Sequence, residues 1–418
     1  MKILYLCSDT GIPVLGHKGA SIHVRSLVSA FAAAGHTVAL AAPLLTHSPA
    51  EEPASVDAQL IHIPPSGGVA AAIDAVKRYG DRLGVTTTVS NELRRILYNE
   101  EIAWEVLRRA ESLRPDFVYE RATVYGTAGV AVARQLGIPL IVELNAPLSL
   151  EQSTYRGSNF PVFAREAERY TLLHADVVLA VSAPLREYVI AQGLPPERVH
   201  VMPNGIDPRV FAPAPASVEV RARWRIGAGP VLGFIGGLRP WHGMRALPAL
   251  VERLAQQYPA LQLIVGGDGP LRDELLTRFR VRGVAERVCF TGPIAHEDVA
   301  ALVRTFDIAL APYDESDHLF YFSPLKLFEY MGCGIAVVAA SLGQIAEVVR
   351  DGEDGLLYAP GDVDGLAAAC ERLLEDPALR QRLGRTAAIR VRERFTWAHN
   401  AATIVDCVER ARSTQVVA

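Results

Sequence analysis

Five cysteines in 418 residues (Cys7, Cys289, Cys333, Cys370 and Cys407) are too few and too scattered to frame a disulfide scaffold. No C-x-x-C pair occurs, so that kind of zinc site is excluded, and reduced thiols in a cytoplasmic protein are the simple reading. An excess of one charge is missing too. Lys and Arg number 42 against 46 Asp and Glu, and the net charge of −4 argues against a general nucleic-acid binder. No apolar run approaches a membrane span, and "MKILYLCSDTG" reads as a first strand rather than a signal peptide. Any membrane contact is therefore expected to be peripheral. The loop after that strand lacks the tight G-x-G-x-x-G spacing, which makes a dehydrogenase the weakest candidate. The one D-x-D, Asp362–Asp364, suits a helix N-cap better than a metal site.

What is present is globular. Half of the residues are hydrophobic and 21% are charged, and the length suggests two domains, each with its own core. The order strand, glycine-bearing loop, helix, strand appears at "KILYLC…HTVALAAP" and returns at "GPVLGFIGGLRPWHG…LQLIVGGDGP". Such units build doubly wound parallel sheets, so the fold class is α/β with two Rossmann-like domains. Residues 205–230, rich in Pro, Ala and Gly, read as linker and lead-in. The boundaries expected are 1–204, joined by a C-terminal helix at about 398–418, and 205–397.

Ligands of such sheets lie beyond the carboxyl ends of the strands. In the first half those ends bring Glu120, Arg121, Glu143 and Asn145; in the second they bring "GGLRPWHG", "GGDGP", "FTGPI" and "APYDESD". The stretch "SPLKLFEYMGCG" reads as a short helix with Ser323 as N-cap and Pro324 in the first position, ended by Gly332 and Gly334. A helix start with Lys326 in its first turn suits a phosphate, and Glu329 suits sugar hydroxyls. A surface helix with a Lys–Glu pair is the plainer alternative. His242 is open to two readings, a phosphate contact or a cap on the helix after it, while Asn204 and Asp207 suit turn formers. His23 and Arg25 read as local helix partners. A further helix spans about Asn91–Arg114, with Leu93, Ile96, Leu97, Trp104, Leu107 and Ala110 as its apolar stripe. Its arginines are interleaved with Glu100, Glu101 and Glu105, which favours a solvated face over a membrane-binding one.

With these segments in hand, the chain resembles the family-4 retaining glycosyltransferases of GT-B fold. "VMPNGID", "FIGGLRPWHG", "GGDGPL", "FTGPI" and "SPLKLFEYMGCGIAVVAASLGQIAEVV" stand in that family's order, and the likeness runs over nearly the whole chain. It is nearest to a subset carrying "SPLKLFEYM" and "PWHG". The resemblance implies two facing domains with an inter-domain cleft. The second would hold a nucleotide-sugar donor (UDP- or GDP-linked), the first a sugar, lipid-linked or small-molecule acceptor, with no metal. It places Glu329 on the ribose and Tyr321 where the family has a sugar-contacting glutamate. Gly237 and His242 stand where an arginine and a lysine commonly hold the diphosphate, with Arg239 close by. Asn145 replaces a histidine. Gly19, Asn204, Gly236, Gly267, Asp268, Pro293, Ile294, Ser323, Pro324 and Leu325 are the remaining donor-side candidates, and Glu120 and Arg121 the acceptor-side ones.

A diphosphate leaving group needs positive charge and N–H donors. Arg239 and Lys326 supply the first; the Ser323–Leu325 helix start and the loops at Gly19 and Gly236–Gly237 are expected to supply the second. Same-face attack, in which the leaving phosphate takes the acceptor's proton, is favoured over double displacement, with Glu143 and Asn145 orienting hydroxyls. An epimerase of the same fold and a non-catalytic nucleotide- or sugar-binding relative are the alternatives.

Overall fold

A computed structural model describes residues 1–46, 53–314 and 320–417. The chain divides into two compact units, Met1–Pro203 with Trp397–Ala418, and Asn204–Thr396. The second unit thus starts one residue earlier than the sequence reading placed it.

The first unit contains seven strands: β1 (Lys2–Leu6), β2 (Thr37–Ala42), β3 (Gln59–His62), β4 (Phe117–Arg121), β5 (Leu140–Leu144), β6 (Val177–Ala180) and β7 (Val199–Val201). They form one parallel sheet in the order β3-β2-β1-β4-β5-β6-β7. Strands β1 and β5 are almost wholly buried, as apolar runs such as "ILYL" and "LIV" require when both faces of a sheet are covered. The order reverses between β1 and β4, which makes their carboxyl ends the switch point.

The second unit repeats the plan with β8 (Val231–Ile235), β9 (Gln262–Gly266), β10 (Val288–Gly292), β11 (Ile308–Ala311), β12 (Ala336–Ala340) and β13 (Leu356–Tyr358). Its order is β10-β9-β8-β11-β12-β13, again parallel, with the switch between β8 and β11. The expected linker is not a bare connector. Ile206 pairs with Thr396, Phe211 is buried in this unit's core, and Ser217 caps a short helix, Val218–Arg223.

The helix read at Asn91–Arg114 is observed as Val89–Leu113, but its buried face is Tyr98, Ile102, Ala103, Val106 and Ala110. Trp104 is 59% exposed, with the Arg108 guanidinium stacked over its ring. The reason lies in two polar residues on the inner face. Buried Glu92 accepts hydrogen bonds from Thr88, Tyr125, Ser158 and the Asn159 N–H. Buried Asn99 accepts from the N–H groups of Thr127 and Ala128, at the start of the helix Ala128–Leu136. An apolar-only pattern rotates the stripe away from both.

Asp362 does cap a helix: its carboxylate accepts the Gly365 N–H, 2.9 Å, at the start of Val363–Glu375. Asp364 pairs with Arg253. Among the described residues no helix is long and apolar enough to cross a membrane.

Candidate functional site

In the second unit the carboxyl ends of β8, β9 and β10 are bound together by main-chain hydrogen bonds. The Gly236 N–H donates to Gly266 O (2.8 Å), the Leu238 N–H to Asp268 O (3.0 Å) and the Gly267 N–H to Gly292 O (2.9 Å). Gly236 and Gly267 adopt φ of 141° and 126°, open to glycine alone, and a Cβ on Gly267 would strike Gly236 O at 2.2 Å. The expectation that the Gly236 N–H serves a phosphate is therefore corrected, because that donor is already engaged. What Gly236 provides is space. A Cβ there would lie 3.1 Å from the Lys326 Nζ.

Lys326 comes from the helix Leu325–Gly332, whose cap position is Pro324. Ser323 does not cap it, contrary to expectation. Its hydroxyl instead accepts the Asn204 N–H at 2.9 Å, while the Asn204 amide donates to Ser323 O at 2.6 Å. Asn204 thus braces the segment entering the helix, a larger role than a turn former, and Pro324 at the cap position makes no side-chain cap. Lys326 is 9% exposed, and its ammonium has no hydrogen-bond partner among the described residues. It rests 4.1 Å from the Phe234 ring centroid and 5.3 Å from that of Tyr313. Burial lowers its pKa to about 7, opposed by the nearby Glu329 charge.

Glu329, one turn on, accepts a hydrogen bond from His296 Nε2 at 3.2 Å. His242 does not cap the helix Leu247–Gln257, which begins at Ala246 without a side-chain cap. Its Nδ1 lies 2.5 Å from Gly237 O, so this nitrogen carries the proton that is donated. Burial, then the Lys326 charge, pushes its pKa down to about 3, and the ring is neutral. Arg239 is exposed beside Gly237. Asp268 accepts the Gly269 N–H, Ile294 packs on Gly266, and the exposed Pro293 precedes it. Tyr321 is buried, its ring 4.5 Å from that of Phe322. Of "APYDESD", residues 315–317 lie outside the described residues.

In the first unit Glu143, at the end of β5, is fully buried and collects four donors. They are His23 Nε2 (2.8 Å), Arg121 Nη1 (2.9 Å), the Tyr119 hydroxyl and the Asn145 amide. Burial is overcome by His23 first, then Arg121 and Tyr119, which hold its pKa down at about 2. Register explains the pairing: Arg121 lies directly opposite Glu143. His23 is no local helix partner, since it reaches across to Glu143 and meets the Trp397 ring edge-on at 4.8 Å. Arg25 does act locally, donating to Val14 O and Gly16 O and so fixing the loop that leads to Gly19, the first residue of the helix Gly19–Ala33. Glu120 points to the other face of the sheet. It is wholly buried against Gly129, and burial raises its pKa to about 7. Its expected contact with an acceptor is corrected on that ground.

The sequence reading thus placed Gly236 and Arg121–Glu143–Asn145 at strand ends, and Lys326 and Glu329 on a short helix. It missed Tyr119, the aromatic seat of Lys326 (Phe234 and Tyr313) and His296. Nothing local in "PIAHED" marks a residue whose partner lies 33 positions on.

Two doubly wound parallel sheets with this order of elements define the class: a GT-B fold. The match to solved structures agrees. HepE from Anabaena, solved with UDP and glucose, superposes with a TM-score of 0.70 at 21% identity, covering 98% of this chain and 99% of that one. Residues 17–210 match Glycosyltransferase Family 4, and residues 229–376 match Glycosyl transferases group 1. The chain belongs to these family 4, group 1 glycosyltransferases. It is 26% identical over 411 residues to a glycogen synthase of Mycobacterium tuberculosis, covering 95% of this chain and 92% of that relative. It is also 29% identical over 312 residues to a D-inositol 3-phosphate glycosyltransferase of Acidothermus cellulolyticus, covering 69% and 66% respectively.

Proposed function

We propose that the protein moves a hexosyl group from a UDP- or GDP-sugar to a hydroxyl acceptor, with retention of configuration and without a metal. The acceptor belongs to polysaccharide, glycolipid or natural-product assembly. The observation that carries this reading is the buried Lys326 ammonium, without a hydrogen-bond partner among the described residues, facing the gap kept open by Gly236. Such a group is costly to bury unless an anion completes it. A diphosphate does so, aided by Arg239 and the N–H groups at the Leu325 helix start, while Glu329 takes the ribose.

As the bond from the anomeric carbon to the diphosphate oxygen breaks, negative charge grows on that oxygen, where Lys326 stabilises it. The acceptor oxygen attacks from the same face and passes its proton to the departing oxygen, so no protein base is required. The four donors on Glu143 support this route over double displacement, since a carboxylate so engaged is a poor nucleophile. Glu143 instead holds Arg121 and Asn145 in place for acceptor hydroxyls.

The test is release of nucleoside diphosphate from a panel of donors, with and without acceptors, with the product anomer read by NMR. Acceptor-dependent release with retention is expected. Conversion of donor without acceptor would favour an epimerase, and tight binding without turnover would favour a binding module.

A further inference from the structure

His296 opens the helix His296–Val303, just after the Pro293–Ala295 turn that follows β10. Its Nε2 stands 3.2 Å from Glu329 Oε1, and the other face of the contact is a ring, with Phe211 5.6 Å away between centroids. A carboxylate only accepts, so the imidazole carries its proton on Nε2 and donates it. Among the described residues no other hydrogen bond reaches the Glu329 carboxylate, and the side chain keeps 10% of its surface exposed. One carboxylate oxygen is therefore fixed and the other is open.

We propose that His296 is the positioning residue for Glu329: by tethering Oε1 it aims Oε2 at the paired ribose hydroxyls of the bound nucleotide. The inference rests on the reading of Glu329 as the ribose contact. The geometry adds a consequence of its own. A glutamate has three rotatable side-chain bonds, and an untethered one must be ordered when the ligand arrives. The tether orders it beforehand. Because His296 follows Pro293 and Ile294 in the chain, it also ties the carboxylate to the loop that carries these two donor-side candidates.

The test uses the full chain and calorimetric binding of UDP and GDP, each beside its 2′,3′-dideoxy form. Wild type should favour the ribose form of its nucleotide by roughly tenfold or more, as a site built to hydrogen-bond hydroxyls does. His296→Phe keeps a ring against Phe211 but has no donor, and should reduce that preference to about twofold or less, chiefly by weakening the ribose form. His296→Gln retains a donor and should keep most of the preference. A full preference in His296→Phe, or equal loss of both nucleotide forms in both variants, would overturn the positioning role. A wild type that does not distinguish the two forms would instead overturn the reading of Glu329, and the inference with it. Should His296→Phe fail to fold, His296→Gln and His296→Asn carry the comparison. Asn is too short to reach Oε1 and should behave as Phe does.

Discussion

Lys326 is the residue on which most depends. Its ammonium is desolvated, sits on two aromatic faces and has no hydrogen-bond partner among the described residues, so its charge is held only weakly near neutral pH. An arriving diphosphate restores the charge. Nucleotide binding at pH 8 should therefore take up protons, up to about one per site, measurable from calorimetric heats in buffers of different ionisation enthalpy. Lys326→Met should abolish that uptake and lower turnover by about 10²–10³, the usual cost of removing a donor aimed at a developing oxyanion. Glu120 offers a stability test with the opposite logic. Its folded pKa, near 7, lies above its ordinary 4.5, so the neutral acid favours the fold. That contribution is complete below the unfolded value and is lost as pH rises through the folded one. Melts at acid and mildly alkaline pH should show stability falling between them, and Glu120→Gln should flatten the trend.

Among the elements, the helix Leu325–Gly332 and the β8 turn form the working pair. Asn204→Ala removes the side-chain amide's hydrogen bond to Ser323 O, leaving the main-chain one, and should raise the donor KM, with a stability loss of roughly 1–3 kcal/mol. Gly236→Ala adds a Cβ at 3.1 Å from the ammonium on a backbone at φ 141°, and should weaken nucleotide binding more than Asn204→Ala does. These elements also mark how far the sequence could be read. Short, mostly apolar runs place β1, β5, β8 and β12, because strands buried on both faces tolerate little else. Lys326 and Glu329 stand out because charge is rare in such a run. The Glu92–Asn99 face of the helix Val89–Leu113 was hidden, since buried polar residues look like surface until their partners are known. The same holds for His23 and His296, whose partners are distant in sequence. Ser323 shows the converse. It has the composition of a cap, but Asn204 claims its hydroxyl.

At the scale of the whole molecule the chain leaves its first unit at Pro203 and returns to it at Trp397. The returning helix, Trp397–Val417, buries Trp397, Ala401, Ile404, Cys407 and Val408, and Arg412 donates to Asp116. Each large side chain so buried contributes roughly 1.5–3 kcal/mol. A chain ending at Thr396 should lose the first unit's melting transition in calorimetry while the second, an unbroken segment, still melts cooperatively. The central claim concerns that second unit, where a caged lysine awaits a leaving diphosphate. The most direct measurement is a crystal structure of the protein with UDP or GDP bound. The account predicts the terminal phosphate within hydrogen-bond distance of Lys326 Nζ and the Leu325 N–H. Phosphates bound away from both would contradict it.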